Sequence, residues 1–309
     1  MHFYLHALRF CFIAREEIHF APGKSANILR GAFGTIFRRL ACPPSCPGAR
    51  LCDARATCAY ARTFEPTAIT PGPSGVHDWP RPFVFRATHL DGLTFKPGTR
   101  FHFDLNLFDT QPDTLTYFIR TFAQLANEGL SPSRAKVELI SVATLSHQGS
   151  PCATVYESGA IGPCQNLPLA LDLSPAPEPV THLSVRFVTP TELKSGERLA
   201  PEPLFSVLAT RIRDRLSTLR QLYGPGPLDI DFRAFGERAS LVRMTRCAIR
   251  DIGLTRRSSR TGQTHLIGGF VGEADYEGDL AEFQPYLQAA KWTGVGRQTV
   301  WGKGEIELS

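Results

Sequence analysis

Apolar and polar positions alternate and cluster in the same order twice along this chain. Phe3–Ala14 alternates well enough for a strand, and Pro22-Gly23-Lys24 then turns the chain into Ser25–Leu40. There Leu29, Phe33, Ile36, Phe37 and Leu40 fall on one helical stripe. A stretch rich in Cys, Pro and Gly runs on to about Pro82. Pro82–Leu90 and Arg100–Phe108 read as two strands around the turn Lys96-Pro97-Gly98. Phe101, Phe103, Leu105 and Leu107 alternate with His102, Asp104 and Asn106, the period of a half-buried sheet. Thr114–Asn127 carries the stripe Phe118, Phe122, Leu125 and is stopped by Gly129, and Ala135–Leu145 returns as a strand. Gly159–Pro179 reads as a linker stiffened by Pro175, Pro177 and Pro179.

The order then recurs. His182–Val188 is a strand. Pro203–Tyr223 is a long amphipathic helix with Leu204, Leu208, Ile212, Leu216, Leu219 and Leu222 on one side. Leu241–Ile252 and Thr264–Tyr276 are strands joined by a basic connection. Asp279–Ala290 is a helix that Asp279 caps, with Pro285 implying a kink or a later start, and Glu305–Leu308 is a closing strand. Two successive β-α-β-β-α-β runs predict an α+β protein of two tandem ferredoxin-like (RRM-like) domains. The first spans 1–158 with a Cys-rich insertion at 41–82, and the second spans 180–309 and ends in a glycine-rich loop.

Composition narrows this picture. At 309 residues, 42% hydrophobic and 20% charged, the chain can bury two cores and is not of the disordered class. The net charge of +5 admits a polyanion partner without requiring one. The apolar stretch Phe3–Ala14 holds His6 and Arg9, is too short for a membrane span and lacks a small-residue cleavage site. The expectation is a cytoplasmic protein with no membrane partner.

Candidate chemistry concentrates near the C-terminus, in Trp292-Thr293-Gly294-Val295-Gly296-Arg297-Gln298-Thr299-Val300-Trp301-Gly302-Lys303-Gly304. Glycines let backbone amides approach phosphate oxygens, and Arg297 and Lys303 add charge where phosphate would lie. Gly294, Gly296, Arg297, Gln298, Gly302, Lys303 and Gly304 are therefore the expected seat for a phosphodiester backbone. A dinucleotide fingerprint fails, because Thr299 stands at the third glycine position and no helix can follow. A second basic element lies between Arg243 and Arg260, where Arg256, Arg257 and Arg260 fall in an expected hairpin loop suited to a duplex RNA backbone. Arg211, Arg213, Arg215 and Arg220 on the long helix read mostly as plain surface.

The run Gly294–Gly304 resembles the signature loop of the RAMP superfamily. With Gly272-Glu273-Ala274-Asp275-Tyr276 and the helix Leu280–Ala290, it resembles the C-terminal domain of the CRISPR pre-crRNA endoribonucleases of the Cas6 family. Leu29-Arg30-Gly31-Ala32-Phe33-Gly34 and Cys58-Ala59-Tyr60-Ala61-Arg62-Thr63-Phe64-Glu65-Pro66 are similar to one branch of that family. The resemblance implies metal-independent cleavage of CRISPR repeat RNA, with no cofactor for catalysis. The 2′-hydroxyl upstream of the scissile phosphate attacks it, leaving a 2′,3′-cyclic phosphate and a 5′-hydroxyl. Such chemistry needs a base, a proton donor and cations for the crowded phosphorane. It also implies other CRISPR-associated proteins as partners. Family members often supply a histidine near the first helix, and Ser25–Leu40 contains none. His19, just before it, is the candidate base, with Lys24 and Arg30 as candidate cations. An ordinary strand-end histidine and solvated surface charges are the alternatives. The missing helix histidine also fits a non-catalytic RNA-binding RAMP subunit of a CRISPR effector complex.

Cys42, Cys46, Cys52 and Cys58 crowd into one segment, enough thiols for a tetrahedral structural zinc site. An iron–sulfur cluster and free thiols remain alternatives, as does an unrelated metalloprotein centred on this site. Cys11 and Cys247 read as buried strand residues.

Overall fold

In a computed structural model, residues 1–66, 79–162, 168–253, 255–257, 264–266 and 268–309 are described, 255–257 and 264–266 by their backbone alone. The elements run β1 (His2–Ala14), β2 (Ile18–His19), α1 (Ser25–Ala41), α2 (Ala59–Phe64), β3 (Phe83–Arg86), β4 (Thr94–Phe95), β5 (Arg100–Leu107), α3 (Pro112–Glu128), β6 (Val137–Leu145), β7 (Pro151–Glu157), β8 (Ala160–Ile161) and β9 (Leu169–Asp172). There follow β10 (His182–Thr191), β11 (Lys194–Ser195), β12 (Arg198–Leu199), α4 (Phe205–Tyr223), α5 (Phe232–Ala239), β13 (Arg243–Ile252), β14 (Thr255–Arg257), β15 (Thr264–Leu266), β16 (Gly269–Glu277), α6 (Gln284–Thr293) and β17 (Ile306–Leu308). The chain forms two compact units, Tyr4–Leu169 and Ala170–Ser309, the latter taking in Met1–Phe3.

In the first unit the sheet order is β3-β5-β1-β6, extended by β7 and β8, with α1 and α3 as the crossovers of a ferredoxin-like fold. The alternation read in β5 is real. Phe103 lies opposite Phe10 in β1 and stacks on it at 5.3 Å, while His102 lies opposite Cys11. The stripes of α1 and α3 meet over this face, Phe33 on Phe118 with ring centroids 4.2 Å apart.

Residues 42–58 contain two short 3-10 turns, Ala49–Leu51 and Asp53–Ala56, and bury Ala49 alone. The predicted insertion is not irregular throughout, because α2 follows and buries Tyr60 and Phe64 against α1. The Phe64 ring would lie 2.7 Å from a Cβ at Gly34, so that helix position needs glycine for the fit. Strand β7, to which the sequence reading assigned no element, and β8, read there as part of the linker, extend the sheet beyond β6.

In the second unit the order is β13-β16-β10-β17, again ferredoxin-like, with α4 and α6 as crossovers. Pro285 does not kink a helix; it sits in the first turn of α6, where its missing N–H costs no hydrogen bond. Helix α5 was not legible as a separate element. Its cap is Asp231, which accepts from the Arg233 and Ala234 amides. Arg213 is not plain surface either: it is buried, donates to the Phe232 carbonyl at 2.5 Å and lies over the Phe232 and Phe235 rings. The predicted strand Thr264–Tyr276 is divided, β15 pairing with β14 as a separate ribbon and β16 starting at Gly269. Cys247, expected inside, is exposed on the edge strand β13. Among the described residues no helix is long and apolar enough to cross a membrane.

Candidate functional site

The glycine run is a turn between α6 and β17, and it is folded inward. Gly294 ends α6 with φ of 69°, and its amide donates to the Ala290 carbonyl. The Val295 amide donates to Gly304, Arg297 to Glu192, Gly302 to Thr299, and Gly304 to Pro190. Gly296 and Gly304 have φ of 78° and 70°, and a Cβ on them would meet the Glu192 and Val295 carbonyl oxygens at 2.2 and 1.9 Å. These two glycines exist for close backbone approach within the protein.

Lys303 completes the turn. It is 2% exposed, and its Nζ lies 2.5 Å from the Gly268 carbonyl, 3.1 Å from Gln298 Oε1 and 3.0 Å from Glu192 Oε2. The ammonium donates to the Gly268 and Gln298 oxygens and is charge-paired with Glu192, so it faces the protein and not solvent. Burial pulls its pKa down and the Glu192 carboxylate opposes that fall. Most of the groups expected to seat a phosphate are thus engaged within the protein itself. Lys303 and the amides of Gly294, Gly302 and Gly304 serve the fold, and Gln298, in the left-handed region at φ of 60°, holds Lys303. Arg297 stays half-exposed, 3.6 Å from Glu192.

The sequence candidates for cleavage sit in the first unit. His19 is exposed on β2, with Nδ1 2.9 Å from Thr94 Oγ1 of the paired strand β4. Lys24 is exposed at the residue before α1. His19 and Lys24 thus flank one turn. The Ser25 amide and hydroxyl both donate to Asp91 Oδ1, so the start of α1 already holds an anion and is no free phosphate site. Arg30 is half-buried, with its guanidinium over the Phe64 ring at 5.3 Å, which places it in the α1–α2 packing.

A histidine pair escaped the sequence reading. His89 and His102 stack with centroids 4.6 Å apart, and His89 Nε2 lies 2.8 Å from the His102 carbonyl. Burial, then the Arg9 and His89 charges, lower the His102 pKa. Alternation put His102 on the polar face of its strand, but nothing local tied it to His89.

In the second unit, Arg243, Arg246 and Arg250 are exposed along the edge strand β13. Arg243 pairs with Glu277 at 2.9 Å, and Arg246 lies 3.4 and 3.6 Å from Glu273 and Asp275. The next ribbon carries Arg256 opposite His265 and Arg257 opposite Thr264; Arg260 lies outside the described residues.

The four clustered cysteines converge. Cys42 follows the last residue of α1, while Cys52 and Cys58 precede a 3-10 turn and α2. Cys42 interacts with Cys46 and Cys58, and Cys46 with Cys42 and Cys52. Burial, then the neighbouring Cys58 and Cys46, push the Cys42 thiol up to about 12, while the Gly48 amide pulls Cys46 down. Among the described residues no group of three or more His, Cys, Asp or Glu could hold a metal ion.

The class defined by this architecture is a tandem ferredoxin-like α+β protein whose second unit closes on a glycine latch. Residues 185–306 match the family model described as CRISPR-associated endoribonuclease Cas6, and residues 3–168 match the AF_1859_N model, an N-terminal domain. Over more than half of its length the chain belongs to the family of the AF_1859_N model, and its second unit matches the model of the CRISPR-associated endoribonuclease Cas6. Among solved structures, a Cas6 product complex is 18% identical with 99% of each chain covered and a TM-score of 0.56. Thermus thermophilus Cas6 is 16% identical, with 99% of this chain and 98% of that one covered and a TM-score of 0.53. A partial Cas6-RT-Cas1–Cas2 complex is 13% identical, with 99% of this chain and 46% of that one covered and a TM-score of 0.56. At these identities the likeness shows the fold. No curated protein matches the chain.

Proposed function

We propose that this protein binds CRISPR repeat RNA and cleaves the precursor transcript by metal-independent transesterification, the 2′-hydroxyl attacking the adjacent phosphate to leave a 2′,3′-cyclic phosphate and a 5′-hydroxyl. The observation that carries this reading is the Cas6 family match over a complete second ferredoxin-like unit, joined to a first unit whose histidine and lysine flank one exposed turn. His19 is the base that takes the 2′-hydroxyl proton, and Lys24 is the cation for the phosphorane. Arg30 supports the pair from within the α1–α2 packing. Arg243, Arg246, Arg250, Arg256, Arg257 and Arg260 grip the phosphate backbone by charge, and Arg297 of the same unit adds a further positive charge. Neighbouring CRISPR-associated proteins are the natural recipients of the product.

A second reading is favoured by one observation. The His19 ring is already engaged by Thr94 Oγ1, and α1 holds no histidine. On that reading the chain is a non-catalytic RNA-binding subunit. Incubating the purified protein with cognate repeat RNA in EDTA decides between them. Product ending in a cyclic phosphate, lost in His19→Ala, supports the enzyme. Tight binding without cleavage overturns it and leaves the binding subunit.

A further inference from the structure

We infer that Thr94 is a positioning residue for His19: its hydroxyl holds Nδ1, and so presents Nε2 to the 2′-hydroxyl that the reaction deprotonates. The inference rests on the reading of His19 as the base. Thr94 belongs to another strand, 75 residues further along the chain, and only the fold brings it to His19.

The residues around His19 decide where it points. Ile18 and Phe20 on either side are fully buried, so the alternation of an extended chain turns His19 out to solvent. Phe20 packs edge-on against Phe95 and Phe101, with centroids 6.2 and 5.7 Å away, and Phe95 lies 5.1 Å from Phe101. The ribbon of β2 and β4 is thus fixed to the core although each strand has only two residues. The Phe20 amide donates to the Leu93 carbonyl at 2.9 Å, and the Gly92 amide to the Phe20 carbonyl at 2.8 Å. In that register His19 stands directly opposite Thr94, which puts the two side chains on one face of the ribbon. Nδ1 and Oγ1 lie 2.9 Å apart.

A neutral imidazole has one N–H and one ring lone pair able to accept, and the bond made by one nitrogen sets the role of the other. A separation of 2.9 Å suits donation in either direction, but only donation from Nδ1–H to Thr94 Oγ1 leaves the lone pair on Nε2. Nε2 has no hydrogen-bond partner among the described residues. Engagement at Nδ1 therefore prepares the other nitrogen and does not occupy it. In the reaction Nε2 takes the 2′-hydroxyl proton as the 2′-oxygen bonds to phosphorus. The P–O5′ bond breaks with its electron pair going to the 5′-oxygen, which takes a proton from water, and the imidazolium gives its own back to water. The charged ring keeps its Nδ1–H bond to Thr94, so it need not turn between the two states.

The test begins on the full chain without RNA. In nitrogen NMR of isotope-labelled histidine in mildly alkaline buffer, the His19 signal, identified by its loss in His19→Gln, should show the proton on Nδ1. Thr94→Val should shift that proton towards Nε2, and Thr94→Ser should leave it in place. In single-turnover cleavage of cognate repeat RNA, Thr94→Val should be about tenfold slower at unchanged affinity, a part of the factor carried by the base itself. Thr94→Ser should recover most of the rate. Added to His19→Ala, Thr94→Val should cost nothing further, whereas a general structural loss would add to it. A proton on Nε2 in the wild type, or a tautomer indifferent to Thr94→Val, would overturn the inference. A wild-type rate in Thr94→Val beside a slow His19→Ala would also overturn it, with His19 still the base. Full cleavage by His19→Ala, or none by the wild type, would remove the base itself and the role of Thr94 with it.

Discussion

Replacing Lys303 by methionine separates the two physical accounts of the glycine turn. The substitution keeps length and bulk and removes the ammonium, leaving the Glu192 carboxylate, 10% exposed, facing an apolar chain. Breaking one side of a buried ion pair costs about 3–5 kcal/mol. Arg297 lies 3.6 Å from the same oxygen and relieves part of that charge, which puts the expected loss at the lower end, about 3 kcal/mol. For a unit the size of Ala170–Ser309, unfolding by itself, such a loss lowers Tm by about 6–12 °C. Urea unfolding reads it directly, and Lys303→Met combined with Glu192→Gln should recover a large part, since no buried charge is then left unpaired. RNA affinity, measured below the transition, should change little, and so should its dependence on salt. If Lys303→Met kept its stability and instead weakened RNA binding with a shallower salt slope, Lys303 would be a phosphate ligand and the latch would be wrong.

Four further outcomes are expected. Gly304→Ala, at φ of 70° with the Val295 oxygen 1.9 Å from the new Cβ, should destabilise by about 2 kcal/mol or more in urea; an unchanged midpoint would refute the close approach. His19→Ala should slow cleavage about 10²-fold or more at unchanged repeat affinity, measured in single turnover, and an unaltered rate would remove His19 as the base. Arg250→Ala should weaken repeat binding and reduce the slope of log K against log salt by about 1; an unaltered slope would place Arg250 off the RNA. His102 has a folded pKa below its ordinary value, so the unfolded chain binds the proton first as pH falls; stability should drop from pH 7 towards 5, and His102→Gln should flatten that drop in pH-dependent unfolding. A profile identical in the variant would refute the assignment.

Much of the architecture was legible in the sequence because it rests on local periods. The alternation of Phe101 to Leu107 and the stripes Leu29–Phe37 and Phe118–Leu125 are each decided by which residues share a face, and the structure stacks them as those periods require. Short elements were harder. Helix α5 depends on the Asp231 cap and on Arg213 reaching across from α4, and α2 on the Phe64 ring finding Gly34. Neither contact has a period to announce it.

The glycine run marks the limit most clearly. Its spacing was enough to point to the family, because such spacing is itself a sequence property. What its groups face was not, because Lys303 reads alike whether its ammonium meets solvent, phosphate or a buried carboxylate. Only the approach of Glu192 and Gly268, brought close by the folding of the whole unit, turned an apparent anion seat into a latch. The same holds for His89 and His102, and for the convergence of the four thiols. Period and composition settle which face of an element is buried, whereas the partner of a polar group is a long-range quantity that exists only once the chain has closed on itself.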